Sequence, residues 1–502
     1  MLAITCSLLA CGAKPSEKSF EKAYDGMIDD TIDGLDAYYE KLGKYDPSNA
    51  TVEYDISVEL SDELLSMLRS MTAEDFAWLN DLNIGYMQTW KDEKLAMDLG
   101  LDYNGKELIS GKAIMDLVAG DMYMAIPVLN SKYIKLGSDM GVDMSALSVL
   151  TNLDYTKIIP EQKVLENVIK RYYGIIMDNI GDVEYSETTL KVNGVSQDCV
   201  EYVVELSEKE IFAIVLNVLE TIKDDEDIKD MLVSLFEYTE DMYGEDLGVS
   251  ADEAYAEFVE GVESAIDDML LSEGDLSNDT VLTWTSYITD KLDVLGAKIE
   301  LVDEDGEVFT EINFAQAQNK EDIGVEISVS EYGYELLSIE GELTNDGKVL
   351  EGTYELTVDG QSILFVDLED VDVKKLDKGY FNGSISIAPS KGLIDMIGAD
   401  ADMAMAGLTL ATMSLKFDIE QENDTDGKVT MSLMSGKSPY ASITVAVSMS
   451  EGQNVTIPSA NEAMSDPEEW ARYMNLGDLL DNLSESGLPD YVVEMIELYL
   501  FG

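Results

Sequence analysis

Carboxylates are the groups in this sequence best able to act as acid or base: 102 Asp and Glu stand against 32 Lys and Arg, and there is no histidine. Without an imidazole, Ser-His-Asp, Cys-His and histidine-zinc chemistry are excluded, since the commonest general base near neutral pH is missing. Two carboxylates can cleave a glycosidic bond when their surroundings separate their pKa values. In this composition close acidic pairs are unavoidable, so none stands out, and four Trp are few for a sugar cleft. Ser19 and Lys22 have the spacing of a serine-lysine nucleophile pair but lack companion motifs. Gly436-Lys437-Ser438 matches the end of a phosphate loop, yet Met431 replaces its first glycine and a strand follows.

Calcium is the metal that suits an acidic chain without histidine, because it takes carboxylate and carbonyl oxygens. Asp303-Glu304-Asp305-Gly306 and Asp424-Thr425-Asp426-Gly427 have the shape of half a calcium loop. Ile312 and Leu433 stand where the closing glutamate belongs, so both runs are read as hairpin turns and no metal is expected. Asp224-Asp225-Glu226-Asp227 reads as a solvated link between helices. No cofactor and no enzymatic activity are expected. The formal net charge of -70 repels phosphate backbones, which excludes nucleic acid as a partner.

The elements that must position any site follow from periodicity. Phe20, Tyr24, Met27, Ile28, Ile32, Leu35, Tyr39 and Leu42 recur at three- and four-residue steps and predict a helix from Ser19 to Gly43. Val52, Tyr54, Ile56, Val58 and Leu60 alternate with polar residues, as a half-buried strand requires, and Ser61 can cap the helix behind it. Leu95, Met97, Leu99, Leu101 and Tyr103 share a strand face. Val200-Glu201-Tyr202 leads through Val204 and Leu206 to Ser207, repeating that start; Ser207 with Glu210 and Ser250 with Glu253 form capping boxes. From Val281 to about Thr456 the pattern is strand, and helices close the chain near Asp466 to Tyr473, Leu476 to Leu483 and Pro489 to Leu500. Seven dipeptides predict tight hairpin turns: Asn104-Gly105, Asn193-Gly194, Asp305-Gly306, Asp346-Gly347, Asp359-Gly360, Asn382-Gly383 and Asp426-Gly427.

Leu2 to Ala10 form an apolar stretch ending Leu8-Leu9-Ala10-Cys11, followed by Gly12 and a polar run. This resembles the lipobox of bacterial lipoproteins, although no Lys or Arg precedes the apolar stretch. The resemblance implies cleavage before Cys11, a diacylglyceryl group on that cysteine, and a body held at the outer face of the cell membrane. Cys199 is then the only thiol side chain of the mature protein, and no intrachain disulfide can form. With stretches such as Asp121-Met122-Tyr123-Met124-Ala125-Ile126-Pro127 and Lys378-Gly379-Tyr380-Phe381-Asn382-Gly383-Ser384, the chain resembles acidic surface lipoproteins of Gram-positive bacteria. Its architecture is similar to the half-barrels of periplasmic lipoprotein carriers and lipid-binding lipoproteins, in which helices close a curved sheet over an apolar cavity.

The expected fold class is α+β, with large curved antiparallel β-meander sheets, helices packed on one face, and two related lobes. The expected segments are a signal peptide over 1–10, an N-terminal helix with a first β lobe over 11–180, a helical insert with the main meander over 181–455, and C-terminal helices over 456–502. The expected function is a lipid-anchored, non-enzymatic surface protein that binds a lipid or another apolar or extended ligand; a structural or adhesive envelope module is the alternative, and a hydrolase of wall polymers a distant third. Met396, Met403, Met405, Leu408 and Met413 interrupt the alternation, and flexible thioethers suit an adaptable pocket, so these five residues are the candidate lining of an apolar cleft closed by helices from Ser207 to Leu271.

Overall fold

The computed structural model describes residues 15–44, 47–136, 160–243, 249–303, 306–397 and 413–501. The chain starts with α1 (Glu17–Lys44), β1 (Ala50–Leu60), α2 (Asp62–Thr72), β2 (Leu82–Lys91), β3 (Lys94–Tyr103), β4 (Lys106–Asp116), β5 (Asp121–Ala125) and β6 (Tyr133–Leu136). Then come α3 (Gln162–Asn179), β7 (Val183–Val192), β8 (Val195–Ser207), α4 (Glu208–Ile222), α5 (Glu226–Tyr243) and α6 (Ala251–Ser272). A meander follows: β9 (Thr280–Ile288), β10 (Val294–Val302), β11 (Val308–Asn319), β12 (Asp322–Glu331), β13 (Tyr334–Asn345), β14 (Val349–Val358) and β15 (Gln361–Asp372). Short helices α7 (Val373–Leu376) and α8 (Lys391–Ile397) flank β16 (Asn382–Pro389). The chain ends with β17 (Met413–Gln421), β18 (Asp426–Ser435), β19 (Ser438–Glu451), β20 (Ala463–Met464), α9 (Pro467–Arg472), α10 (Leu476–Ser486) and α11 (Asp490–Phe501). The protein is thus α+β and dominated by antiparallel strands. No described helix is long and apolar enough to cross a membrane.

The helix starts follow local rules. Ser61 accepts from the Leu64 amide, and Ser207 and Ser250 form capping boxes with Glu210 and Glu253, so α2, α4 and α6 begin where the sequence places them. Asn104-Gly105, Asn193-Gly194 and Asp359-Gly360 hold two successive positive φ angles, as tight hairpins need. Two of the seven predicted turns are corrected. Asn382-Gly383 opens β16, and Asp426-Gly427 opens β18 directly after the bend at 423–425 that joins it to β17, so neither is the centre of a two-residue turn; a Cβ on Gly383 would meet the Val371 Cα at 2.7 Å. That glycine answers close strand approach rather than a turn.

The chain divides into two compact units that cut across the segments read from the sequence: 1–40, 149–366 and 390–393 form the first, and 41–148, 367–389 and 394–502 the second. The cause is long-range pairing. β1 pairs antiparallel with β19 from Ala50↔Glu451 to Leu60↔Ala441, which binds the beginning of the chain to its far end.

In the first unit the strands run β7-β8-β9-β10-β11-β12-β13-β14, all antiparallel. Phe20, Ala23 and Tyr24 of α1 pack on Val183, Val200, Tyr202, Val204, Leu206 and Ile288. The Tyr24 hydroxyl and Ser286 Oγ share a buried hydrogen bond of 2.6 Å. The β7–β8 hairpin tip lies against β12 and β13, where Asn193 Nδ2 donates to the Val325 carbonyl at 2.8 Å. Gly324 permits this approach: a Cβ there would stand 2.1 Å from the Val192 carbonyl oxygen.

In the second unit the order is β16-β17-β18-β19-β1-β2-β3-β4-β5-β6, antiparallel throughout, with β20 parallel to β6. Both units contain Val-Glu-Leu-Ser at a strand end, at Val58 to Ser61 and Val204 to Ser207, with the serine capping the next helix. The strand after the helical stretch, β2 or β9, returns antiparallel to the first.

Candidate functional site

The second unit's sheet is the best candidate, because register places whole rows of like residues side by side. Residues directly opposite on antiparallel strands share a face. One row reads Ile419, Val429, Val445, Ile56, Ile84, Leu101, Ile109 across seven strands. Phe417, Met431, Ile443 and Val58 form the row on one side. Val447, Tyr54, Tyr86 and Leu99 form the row on the other. The Tyr54 and Tyr86 rings stand 5.8 Å apart, and partial burial, with Tyr54 beside it, pushes the Tyr86 phenol up.

Helices α10 and α11 cover only one end of this apolar face. Leu479, Leu483, Leu488, Val492 and Val493 pack with Tyr103 and Leu108, and with the half-buried Leu82, Leu101 and Ile109. Trp78 Nε1 donates to the Tyr491 hydroxyl at 2.9 Å and holds α11 there. Elsewhere on the face, Ile84, Leu99, Leu415, Val429, Met431 and Ile443 remain 38–52% exposed. Scattered exposed aliphatics are ordinary; a register-aligned group is not. Apart from the Tyr54 and Tyr86 phenols, the residues named in these rows are aliphatic or aromatic hydrocarbon and thioether side chains, and what they offer a partner is apolar area to bury.

The opposite face is polar. Glu420, Lys428, Ala446, Asp55, Gly85, Gly100 and Ser110 make one row, and Asp426, Ser448, Glu53, Met87, Asp98 and Lys112 the next. The small residues Ala446, Gly85 and Gly100 leave a trough of about 850 Å³ between the flanking carboxylates. Lys112 pairs with Asp98 at 3.3 Å and Lys428 with Glu420 at 3.7 Å. Among the described residues no three acidic or cysteine side chains are grouped as a metal site. The trough therefore disfavours anions without assembling a cation cage.

A second concavity, of about 630 Å³, lies in the first unit among Lys223, Asp224, Glu226, Lys229, Tyr255 and Glu260. Beside it, Asp224 and Glu226 are exposed where α4 gives way to α5, as a solvated link requires, but Asp225 departs from that reading: its side chain is 1% exposed and ion-paired with Arg171. It also accepts from the Tyr172 hydroxyl at 2.9 Å and the Asp227 amide at 3.0 Å. Burial alone would push Asp225 up, but Arg171 and Tyr172 outweigh it and hold the carboxyl below its usual range. This carboxylate caps α5 and ties it to α3, so its role is structural.

Of the residues singled out in the sequence, Cys11, Met403, Met405 and Leu408 lie outside the described residues, as does the side chain of Met396. Met413 opens β17 in the second unit, opposite Ser435, whereas α4 to α6 belong to the first unit. Ser19 is buried at the start of α1 while Lys22 is exposed, so the two make no nucleophile pair. Gly436 has φ of 62° and turns β18 into β19, as expected of a hairpin. Asn423 Oδ1 accepts the Thr425 and Asp426 amides, which makes the Asp424 run a side-chain-capped turn. Burial pushes the Cys199 thiol up, leaving it inert in the core. Leu99, Leu415, Val429, Met431 and Ile443 fall in stretches that the sequence marks as strand, whereas Ile84 does not; that α10 and α11 stop short of all six is visible only in the structure.

Comparisons of the chain with protein-family models, with curated proteins and with solved structures return no match.

Proposed function

We propose that the protein is exported, anchored through a lipidated Cys11 at the outer face of the membrane, and acts there by binding rather than by catalysis. The ligand is apolar and extended, and it lies on the uncovered rows of the second unit's sheet. The observation that supports this is the alignment of Ile84, Leu99, Leu415, Val429, Met431 and Ile443 on one face with about two-fifths or more of each side chain in water. Full burial of one such side chain is worth about 1.5–3 kcal/mol, so covering the exposed part of all six yields roughly 4–7 kcal/mol before association costs. That gross figure is an upper bound, so these six side chains alone give a dissociation constant no tighter than about 10 μM. A ligand reaching the half-buried residues between them would bind more tightly.

The test uses residues 12–502 with N-phenyl-1-naphthylamine, an uncharged probe that the net charge does not repel. Wild type should raise its fluorescence saturably. Leu99→Asp with Met431→Asp should abolish the rise and leave the melting temperature nearly unchanged, because both side chains are already half in water. An absent signal, or one that survives both substitutions, refutes the apolar reading. The anchor is tested separately: the full-length protein should sediment with membranes and Cys11→Ser should not, and equal sedimentation of the two refutes lipidation.

A further inference from the structure

In the first unit, the β12–β13 turn is one of several that hold a residue other than Gly, Asn or Asp in a left-handed position, as Leu292 with φ of 74° and Lys320 with φ of 58° also do, but among the described residues it alone puts an aromatic ring there. Asn104, Asn193 and Asp359 occupy the first left-handed position of their hairpins, where a short polar side chain is tolerated. At the β12–β13 turn the position belongs to Tyr332, with φ of 49°, followed by Gly333 with φ of 73°. A bulky residue is disfavoured there, and an outlier of this kind points to a use for the side chain. Burial does not provide it: Tyr332 is 73% exposed and Tyr334 58%.

Neighbouring tips complete a patch. The Tyr332 amide donates to the Phe309 carbonyl at 2.8 Å, and the two rings lie 6.4 Å apart. The Tyr334 hydroxyl donates to the Asp359 carbonyl at 3.2 Å, which joins the β14–β15 turn to the group. Val308 and Leu336 are exposed beside it. The charged residues of these tips are Glu307, Glu331, Glu335 and Asp359, and neither Lys nor Arg occurs in residues 306–310, 329–337 or 356–362.

We infer that this patch binds an uncharged polysaccharide, with Tyr332 and Tyr334 stacking on sugar rings and the surrounding carboxylates accepting sugar hydroxyls. Aromatic faces supply contact area, and carboxylates are pure acceptors, which suits a ligand rich in hydroxyl donors. Anionic headgroups and phosphorylated polymers would find no cation here. A basic partner would be drawn to any part of so acidic a surface and gives no reason to hold a tyrosine in a disfavoured backbone conformation.

The experiment is native electrophoresis of residues 12–502 through gels containing hydroxyethyl cellulose, soluble starch, galactomannan or dextran, at low salt and in 0.5 M NaCl. At least one polymer should retard the wild type at both salt concentrations. Tyr332→Asn and Tyr334→Ala should each weaken retardation about tenfold, the scale of one aromatic contact, while Tyr334→Phe, which keeps the ring, should not. Tyr332→Asn should also raise the melting temperature by about 2 °C, because Asn suits the left-handed position. The inference is overturned if no polymer retards the protein, if retardation vanishes in salt as charge attraction would, or if phosphatidylcholine vesicles bind in place of the polymers. It is equally overturned if Tyr332→Asn lowers the melting temperature with retardation unchanged, which would make the ring a cover for Phe309. The apolar probe reads the other unit, so the two proposals fail independently.

Discussion

Arg171→Ala should destabilise the first unit through Asp225. The Asp225 carboxylate is withdrawn from water, while the Arg171 guanidinium is 35% exposed and also reaches Asp227 at 2.6 Å. Removing one partner of a buried ion pair costs about 3–5 kcal/mol when nothing else compensates. Here the Tyr172 hydroxyl and the Asp227 amide still donate to Asp225, and water screens part of the lost pair. A loss of about 2 kcal/mol is therefore expected, which lowers the melting temperature by about 4 to 8 °C. The sign with pH follows from Asp225, held below its usual range in the folded protein. Its contribution is present above the unfolded carboxylate value and is lost as pH falls through the folded one. In Arg171→Ala burial is no longer outweighed to the same extent, so acid unfolding should begin at higher pH. Hydrogen exchange read by mass spectrometry on peptides from residues 162–243 reports the region directly and should accelerate. A melting temperature within about 1 °C of wild type, with exchange unchanged, would refute the reasoning, since Asp225 would then need no cation.

Gly324→Ala should cost about 1–3 kcal/mol, because the added carbon would press on the Val192 carbonyl and lift the hairpin tip; thermal unfolding measures it, and a neutral result would mean the tip adjusts freely. Glu340→Gln should stabilise. Partial desolvation first, then Glu326, Glu335, Glu355 and Glu342, raise Glu340, with Glu326 and Glu355 directly opposite it on neighbouring strands. The raised carboxyl means the penalty grows as pH rises above the unfolded value and is complete above the folded one; because water screens the exposed side chain the gain at pH 7 is only about 0.5 kcal/mol, and it should vanish below about pH 4 and shrink in 1 M NaCl, as urea titrations at each condition would show. Ser250→Ala removes the cap of α6 and should lose about 1 kcal/mol, read from urea unfolding, with Ser250→Gly losing less.

Much of the local structure was legible because its causes are local. The serine caps depend on residues within one turn of helix, and the alternation of β1 on side chains two apart, so Ser207, Ser250 and Val52 to Leu60 announce their elements. The turn signals succeeded where Asn-Gly or Asp-Gly had no competing role. They failed at Asn382-Gly383, where the glycine serves close approach to Val371, and the signal missed Tyr332-Gly333, whose first residue breaks the local preference. Apart from Ile84, the exposed apolar rows could be assigned to a strand face from the sequence, but how far α10 and α11 extend over that face could not.

By itself the sequence determined that this is an α+β protein of antiparallel strands without imidazole chemistry, because composition and short-range periodicity suffice for both. Only the tertiary structure decided that β1 lies against β19, that α1 belongs with residues 149–366, that Asp225 is an ion-paired cap, and which apolar residues stay in water. Alternation tells a strand which face to bury but not which distant strand to pair with. That choice is made by the sum of many contacts between residues far apart in the chain, and no short stretch of sequence contains it.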